Sequence, residues 1–338
     1  MNRRQFFRAT AARFSVAGLC EAGLAEASYS RAADPHAGKA LIAITLDLEM
    51  SRNFPRWEDT HWDYEKGNLN DETKRYTVEA CRRVKAAGGV VHCFAVGRVF
   101  EQADVGWLKE IAAAGHPIGN HTYDHVHMKA TKPADIQFRF QRAPWLVQGK
   151  TAEQIIVENI RLTTAALKAR VGIEPAGFRT PGGFPNGLAD RPDVRRWLRE
   201  LGFKWVSSKY PAHPAPEPGR EPSETYLGAI VRAQADAQPF AYPDGLVEVP
   251  MSPVSDIVAF RTGRWKLEWF LRTLRRAIDS VIDARSTFDF LGHPSCLYVV
   301  DPEFRAIDLI FERVRASNGR AAVVGLGAHA SRGGDGAG

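Results

Sequence analysis

Leu41-Ile42-Ala43-Ile44-Thr45-Leu46-Asp47-Leu48-Glu49 is the stretch from which the rest of the chain can be read. Its first six residues are apolar or β-branched and bounded by polar segments, the pattern of a short buried strand. Two acids then close it. An extended backbone turns alternate side chains to the same side, so Asp47 and Glu49 share one face and Leu48 takes the other. Two carboxylates at a strand end can divide labour, one holding a metal and the other taking a proton. A solvated strand end would read the same way.

Strands and helices alternate outward from this segment. Helical apolar spacing through Val78, Cys81 and Val84 predicts a helix over 73–87, stopped by Gly88-Gly89. A strand follows over 90–96, then a helix over 105–114 closed by Gly115. A long amphipathic helix is expected over 152–171, ending at Gly172, then a strand at 176–178, a helix at 193–201 and a strand at 204–207. Further strands are expected at 247–249, 287–291 and 322–325, with helices at about 265–284 and 302–317 between them. Repeated strand–helix units imply a parallel sheet with helices outside it. About seven fit into residues 40–328, giving an α/β fold, an irregular (β/α) barrel of about seven parallel strands in one domain. A doubly wound open sheet is the alternative. No glycine-rich phosphate fingerprint follows the first strand, which disfavours nucleotide binding. In a barrel the chemistry sits on loops at the C-terminal ends of the strands.

Unusual polar residues do gather there. Gly119-Asn120-His121-Thr122-Tyr123-Asp124-His125 follows the third strand, and on one helical turn His121 and His125 would share a face able to grip one ion. Alone, such a pair is more often two surface histidines. With one carboxylate added, it leaves coordination open for water and substrate, as in catalytic zinc sites. His116 and His127 flank the pair and read as supporting or surface residues. Phe178-Arg179-Thr180-Pro181-Gly182-Gly183 follows the fourth strand. Its Arg can hold a carboxylate and its turn exposes backbone N–H groups, though a plain βα turn looks similar. Phe290-Leu291-Gly292-His293-Pro294 sets a histidine at the end of a late strand, as a buried structural residue or a general acid.

Together these segments resemble the NodB-type polysaccharide deacetylases, carbohydrate esterase family four. The H-[ST]-x-x-H motif of that family is met by His121-Thr122-Tyr123-Asp124-His125, within Gly115-His116-Pro117-Ile118-Gly119-Asn120. R-x-P-x-G is met by Arg179-Thr180-Pro181-Gly182-Gly183, and L-x-H by Leu291-Gly292-His293. The first motif departs: T-F-D-D-G is expected, and Thr45-Leu46-Asp47-Leu48-Glu49 puts Leu48 where a ligand acid would stand. Variants spaced D-x-D or D-x-E suggest Asp47 as base and Glu49 as ligand. Asp256, in Pro253-Val254-Ser255-Asp256, is the candidate to orient the late histidine.

The resemblance implies a divalent ion, zinc first among the candidates, on Glu49, His121 and His125. It implies Asp47 as base steered by Arg179, the Gly182 N–H for the oxyanion, and His293 as acid. The implied substrate is an acetylated polysaccharide: chitin-type, peptidoglycan or an O-acetylated glycan. A hydrolase of a small or cyclic amide on the same scaffold is one alternative. A glycan-binding relative without catalysis is the other. The segments 51–70, 126–150 and 208–246 would shape the groove. Their aromatics Trp57, Trp62, Trp145 and Tyr210 could stack on sugars, though anchoring a loop is the commoner role.

Composition fits an ordinary globular protein, with 44% apolar and 25% charged residues among 338. The net charge of +6 comes with no nucleic-acid motif, and Arg272–Arg276 reads as a solvated helix face. No run of about 18 uncharged apolar residues is present, so no spanning helix is expected. Asn2-Arg3-Arg4-Gln5-Phe6-Phe7-Arg8 is similar to a twin-arginine export signal, with Ala25-Glu26-Ala27 as a cleavage site, and a disordered basic tail is the alternative. Export to the periplasm or beyond would follow. Residues 28–39 read as a linker and 329–338 as a disordered tail. Without residues 1–27 the chain keeps Cys81, Cys93 and Cys296, an odd set that suggests no disulfide framework.

Overall fold

The computed structural model describes residues 35–49 and 66–334. In chain order the elements are β1 (Ala40–Leu48), α1 (Asp71–Ala86), β2 (Val91–Ala95), α2 (Gly106–Ala113), β3 (Ile118–Asn120), α3 (Phe138–Arg142), α4 (Ala152–Val171) and β4 (Phe178–Phe184). After them come α5 (Pro192–Glu200), β5 (Trp205–Lys209), α6 (Glu224–Ala235), β6 (Phe240–Ala241), β7 (Val247–Glu248) and α7 (Leu267–Ala284). The chain then runs through β8 (Thr287–Gly292), α8 (Pro294–Val300), α9 (Arg305–Ala316), β9 (Ala321–Val323) and α10 (Leu326–Gly334).

Several helices begin on side-chain caps. Asn70 accepts the Thr73 N–H at the start of α1, and Thr151 and Gln154 form a reciprocal capping box on α4. Seven strands run parallel in the order β7-β5-β4-β3-β2-β1-β8, with β6 antiparallel on β7. One edge of β1 pairs with β8. The other pairs with β9 along Ala40–Ile42 and with β2 along Ile44–Leu48. The sheet curls into the expected irregular barrel.

Alternation along β1 decides which residues face the inside. Ile42, Ile44, Leu46 and Leu48 belong to the large outer cluster with residues of α1, α7 and α9. Ala43 instead joins Phe94, Val249, Leu326 and Ala330 in a small inner cluster. Thr45 and Asp47 follow Ala43 on that inner side, and α10 supplies its inner apolar contacts. The expected disordered tail from 329 is therefore corrected as far as Gly334: His329, Ala330 and Gly333 are buried at helical spacing. Residues 335–338, the signal over 1–27 and the linker as far as 34 lie outside the described residues.

Among the described residues β8 has no strand partner on the edge away from β1, and side chains take that strand's place. Gln238 Oε1 accepts the Thr287 N–H at 2.9 Å, and Gln234 Nε2 donates to the Thr287 carbonyl at 2.9 Å. Ser252 Oγ accepts the Asp289 N–H at 2.9 Å, and the Asp256 carboxylate accepts the His293 N–H at 2.6 Å. These bonds supply part of what a neighbouring strand would give to the buried backbone of that edge.

Candidate metal and acid–base site

β1 ends with Asp47 on the inner face, and Glu49 stands one residue past the strand; both are buried. The two histidines reach them differently from the expectation. Residues 121–125 form no helical turn. Thr122 and His125 take positive φ values of 60° and 57°, so the backbone doubles back between the rings. Asn120 Oδ1 accepts the Thr122 N–H at 2.8 Å, and Thr122 Oγ1 accepts the Val126 N–H at 3.0 Å, holding this shape. His121 Nδ1 donates to the Arg179 carbonyl at 2.9 Å, which leaves Nε2 facing the carboxylates. That Nε2 lies 3.4 Å from Glu49 Oε2 and 3.8 Å from Asp47 Oδ2. His125 Nε2 touches Glu49 Oε2 as well.

One donor atom from each of Glu49, His121 and His125 lies within 4.8 Å of the others. A carboxylate and two imidazole nitrogens converging at this separation fit a divalent cation with an open position. Burial pushes the Glu49 carboxyl up, but its neighbours His125, Lys66 and His121 outweigh it and hold the group well below its ordinary range. Burial holds the His125 ring down at about 4, so it stays a neutral donor near pH 7.

Arg179 is wholly buried, and its guanidinium binds Asp47 Oδ1 at 3.0 Å, Thr45 Oγ1 at 2.8 Å, Ser207 Oγ at 3.3 Å and Asp289 Oδ2 at 2.5 Å. It also lies over the Phe94 ring at 4.4 Å. Sequence reasoning missed Asp289, yet its signal was present: one acid alternating with Phe288 and Phe290 inside an apolar strand. Across the site His293 Nδ1 donates to Asp256 Oδ1 at 2.8 Å, and its Nε2 lies 3.1 Å from Glu49 Oε1. Burial disfavours a charged ring there, but Asp256 and then Glu49 overcome that and raise His293 to about 10.

The site opens into a cavity of about 310 Å³. Gly182, at φ +72°, lines it beside Gly183, and Tyr210, Met251, Ile257, Val258 and Leu291 form a largely apolar wall. Lys66, a second residue sequence reasoning missed, lines it too. The motif 179–183 is not a turn after the strand: β4 runs through it, with its register to β5 shifting between Arg179 and Phe184. His116 stays structural, accepting the Val91 N–H at 3.0 Å, and His127 packs on Phe184. Tyr210 lines the cavity and accepts the Ser255 N–H at 3.2 Å, whereas Trp145 is 69% exposed. Trp57 and Trp62 lie outside the described residues.

Residues 64–206 match the family model of the polysaccharide deacetylases. That stretch of the chain, less than half of its length, is similar to the family. The match holds both histidines and Arg179; Asp47 and Glu49 precede it, and Asp256 and His293 follow it. No curated protein matches. Among solved structures, one assigned to the polysaccharide deacetylases from Mycobacterium smegmatis is 17% identical, with TM-score 0.55 over 87% of this chain and 90% of that one. Another so assigned, from Pseudomonas aeruginosa PAO1, is 14% identical, with TM-score 0.59 over 87% and 91%. An allantoinase is 15% identical, with TM-score 0.57 over 89% and 93%. At these identities the likeness is one of fold.

Proposed function

We propose that the chain is a metal-dependent hydrolase that removes acetyl groups from an acetylated polysaccharide. One observation carries the reading: a three-donor cluster, Glu49–His121–His125, lies between a carboxylate braced by Arg179 and a histidine braced by Asp256. A divalent cation on that cluster, zinc by its nitrogen and oxygen donors, would polarise the acetyl carbonyl and make water nucleophilic near neutral pH. Asp47 takes the proton of the attacking water, its carboxylate held in place by the Arg179 Nη1 hydrogen bond. The N–H of Gly182 is offered to the oxyanion. His293, its ring fixed through Nδ1 by Asp256, gives a proton from Nε2 to the departing amine or alcohol. Acetate and a free amine or hydroxyl result.

A second reading, hydrolysis of a small amide, draws on the modest cavity and its apolar wall. The deciding assay measures acetate release from chitin-type, peptidoglycan and O-acetylated glycans beside a set of small cyclic amides, each with zinc and with chelator. Chelator-sensitive acetate release, lost in His121→Ala, supports the deacetylase. Turnover of small amides alone moves the assignment to the second reading. No acetate and no amide hydrolysis leaves a glycan binder. We also propose export through the twin-arginine-like segment, on its arginine pair and the absence of a paired cysteine framework.

A further inference from the structure

The reaction proposed above gives Lys66 no part, yet the fold fixes it firmly. The Gly67 N–H donates to the Glu49 carbonyl at 2.8 Å, tying the two segments together. Gly67 has φ +81°, and a Cβ there would lie 2.6 Å from Arg98 Cβ and 3.0 Å from the backbone of Arg98 and Val99. Only glycine passes so close in that conformation. The residue before it is thereby set beside Glu49. Lys66 is 2% exposed, with Nζ 2.9 Å from Glu49 Oε2 and 3.5 Å from His125 Nε2.

Those two atoms belong to the candidate metal cluster. An ammonium carries three donors and no acceptor, so it approaches Glu49 and His125 through the lone pairs a cation would take. It also repels that cation as a like charge inside a buried site, where screening is weak. We propose that Lys66 competes with the divalent cation for Glu49 and His125 and thereby sets the affinity of the site. The inference rests on the metal-dependent reading above. Only a cation that binds strongly displaces the ammonium into the cavity that Lys66 also lines. Zinc passes that threshold more readily than manganese, which imidazole–carboxylate sites hold less tightly.

The test uses the full chain, stripped of metal, with zinc and manganese affinities measured by competition against a chromophoric chelator. Wild type should bind one equivalent of zinc that His121→Ala loses; without that, the metal reading itself fails, whatever Lys66 does. With it in hand, Lys66→Met should bind both metals more tightly by at least about tenfold, a floor well below the bare repulsion of a like charge at this range. Lys66→Arg, which keeps the charge, should not gain. Equal or weaker zinc affinity in Lys66→Met overturns the inference. Should that variant fail to fold, Lys66→Gln carries the same expectation. A labelling measurement on the wild type needs no variant: a small amine reagent should modify Lys66 faster once zinc is bound. Unchanged protection of Lys66 in the zinc-bound protein overturns the competition as well.

Discussion

Exchanging Glu49 for Gln and Asp47 for Asn should separate metal holding from proton transfer, because the two carboxylates face different partners. Glu49 faces Lys66 at 2.9 Å, His293 at 3.1 Å and His121 at 3.4 Å. At 2.9 Å and an effective dielectric of about 20, the gross attraction to Lys66 is about 6 kcal/mol. Desolvation offsets much of that. Removing one member of such a buried pair still costs about 3–5 kcal/mol, because the other charge is left uncompensated. Glu49→Gln is therefore expected to lose metal and to unfold at markedly lower urea concentration, and excess zinc should restore part of its activity. Asp47→Asn leaves Arg179 paired with Asp289 at 2.5 Å, so its stability loss is smaller. It should keep its metal and lose about 10²–10⁴ in kcat, the share of a general base. Metal content after dialysis, acetate release and urea midpoints are measured for both. An empty site in Asp47→Asn beside a filled one in Glu49→Gln would reverse the two roles. Unchanged activity in both would refute the mechanism.

Three further expectations follow from the same structure. Asp289→Asn removes one of the two carboxylates that fix the Arg179 guanidinium, so the hydrogen bond that positions Asp47 loosens; kcat should fall by about tenfold with KM unchanged, and an unaltered kcat would make Asp289 purely structural. Burial, then the nearby Arg179 charge, holds His92 down at about 3, so this histidine binds no proton in the folded protein near neutral pH while the unfolded chain does so from about 6.5 downward. Its contribution is full above that value and is lost as pH falls, by about 2 kcal/mol at pH 5; the stability lost between pH 7.5 and 5.0 in urea unfolding should be smaller by about that amount in His92→Phe than in wild type, and equal pH dependence in both would contradict it. Replacing Arg3 and Arg4 with Lys should hold the precursor in the cytoplasm, as followed by fractionation and immunoblotting, and normal export would remove the twin-arginine reading.

The strand–helix alternation was legible because strands such as β1, β2 and β8 are buried along their whole length and so read as short, mostly apolar runs. Helix α4 occupies 152–171 as its spacing and caps imply. Helix α6 was lost inside the segment 208–246 because the prolines before it masked its start, although Ser223 caps it and Leu227, Ile230 and Gln234 recur at helical spacing. In α10 the glycines concealed the same kind of pattern. Within the site, residues carried by local motifs could be found: His121, His125, Arg179 and His293. Asp256 could be named but not placed, since its partner lies 37 residues away and only the unpaired edge of β8 brings them together. Lys66 leaves no local trace, because its place depends on the pairing of Gly67 with Glu49.

The same alternation explains how the site tolerates leucine at position 48. Leu48 is fully buried in the outer cluster with Ile42, Ile44 and Leu46, between the strand and its helices. An acid on that face would point into apolar packing, away from His121 and His125, and a buried charge without a partner is costly. A pattern of two consecutive acids can deliver both to the inside only if the backbone departs from strand alternation between them. Here β1 stays extended through Leu48, and the next inward position falls at 49. Glutamate there has one more methylene than aspartate and reaches the histidines from a residue further along, with its carbonyl fixed by the Gly67 N–H. Leu48 thus fills the core side of the strand, and Glu49 brings its carboxylate to the inside at the first residue beyond it.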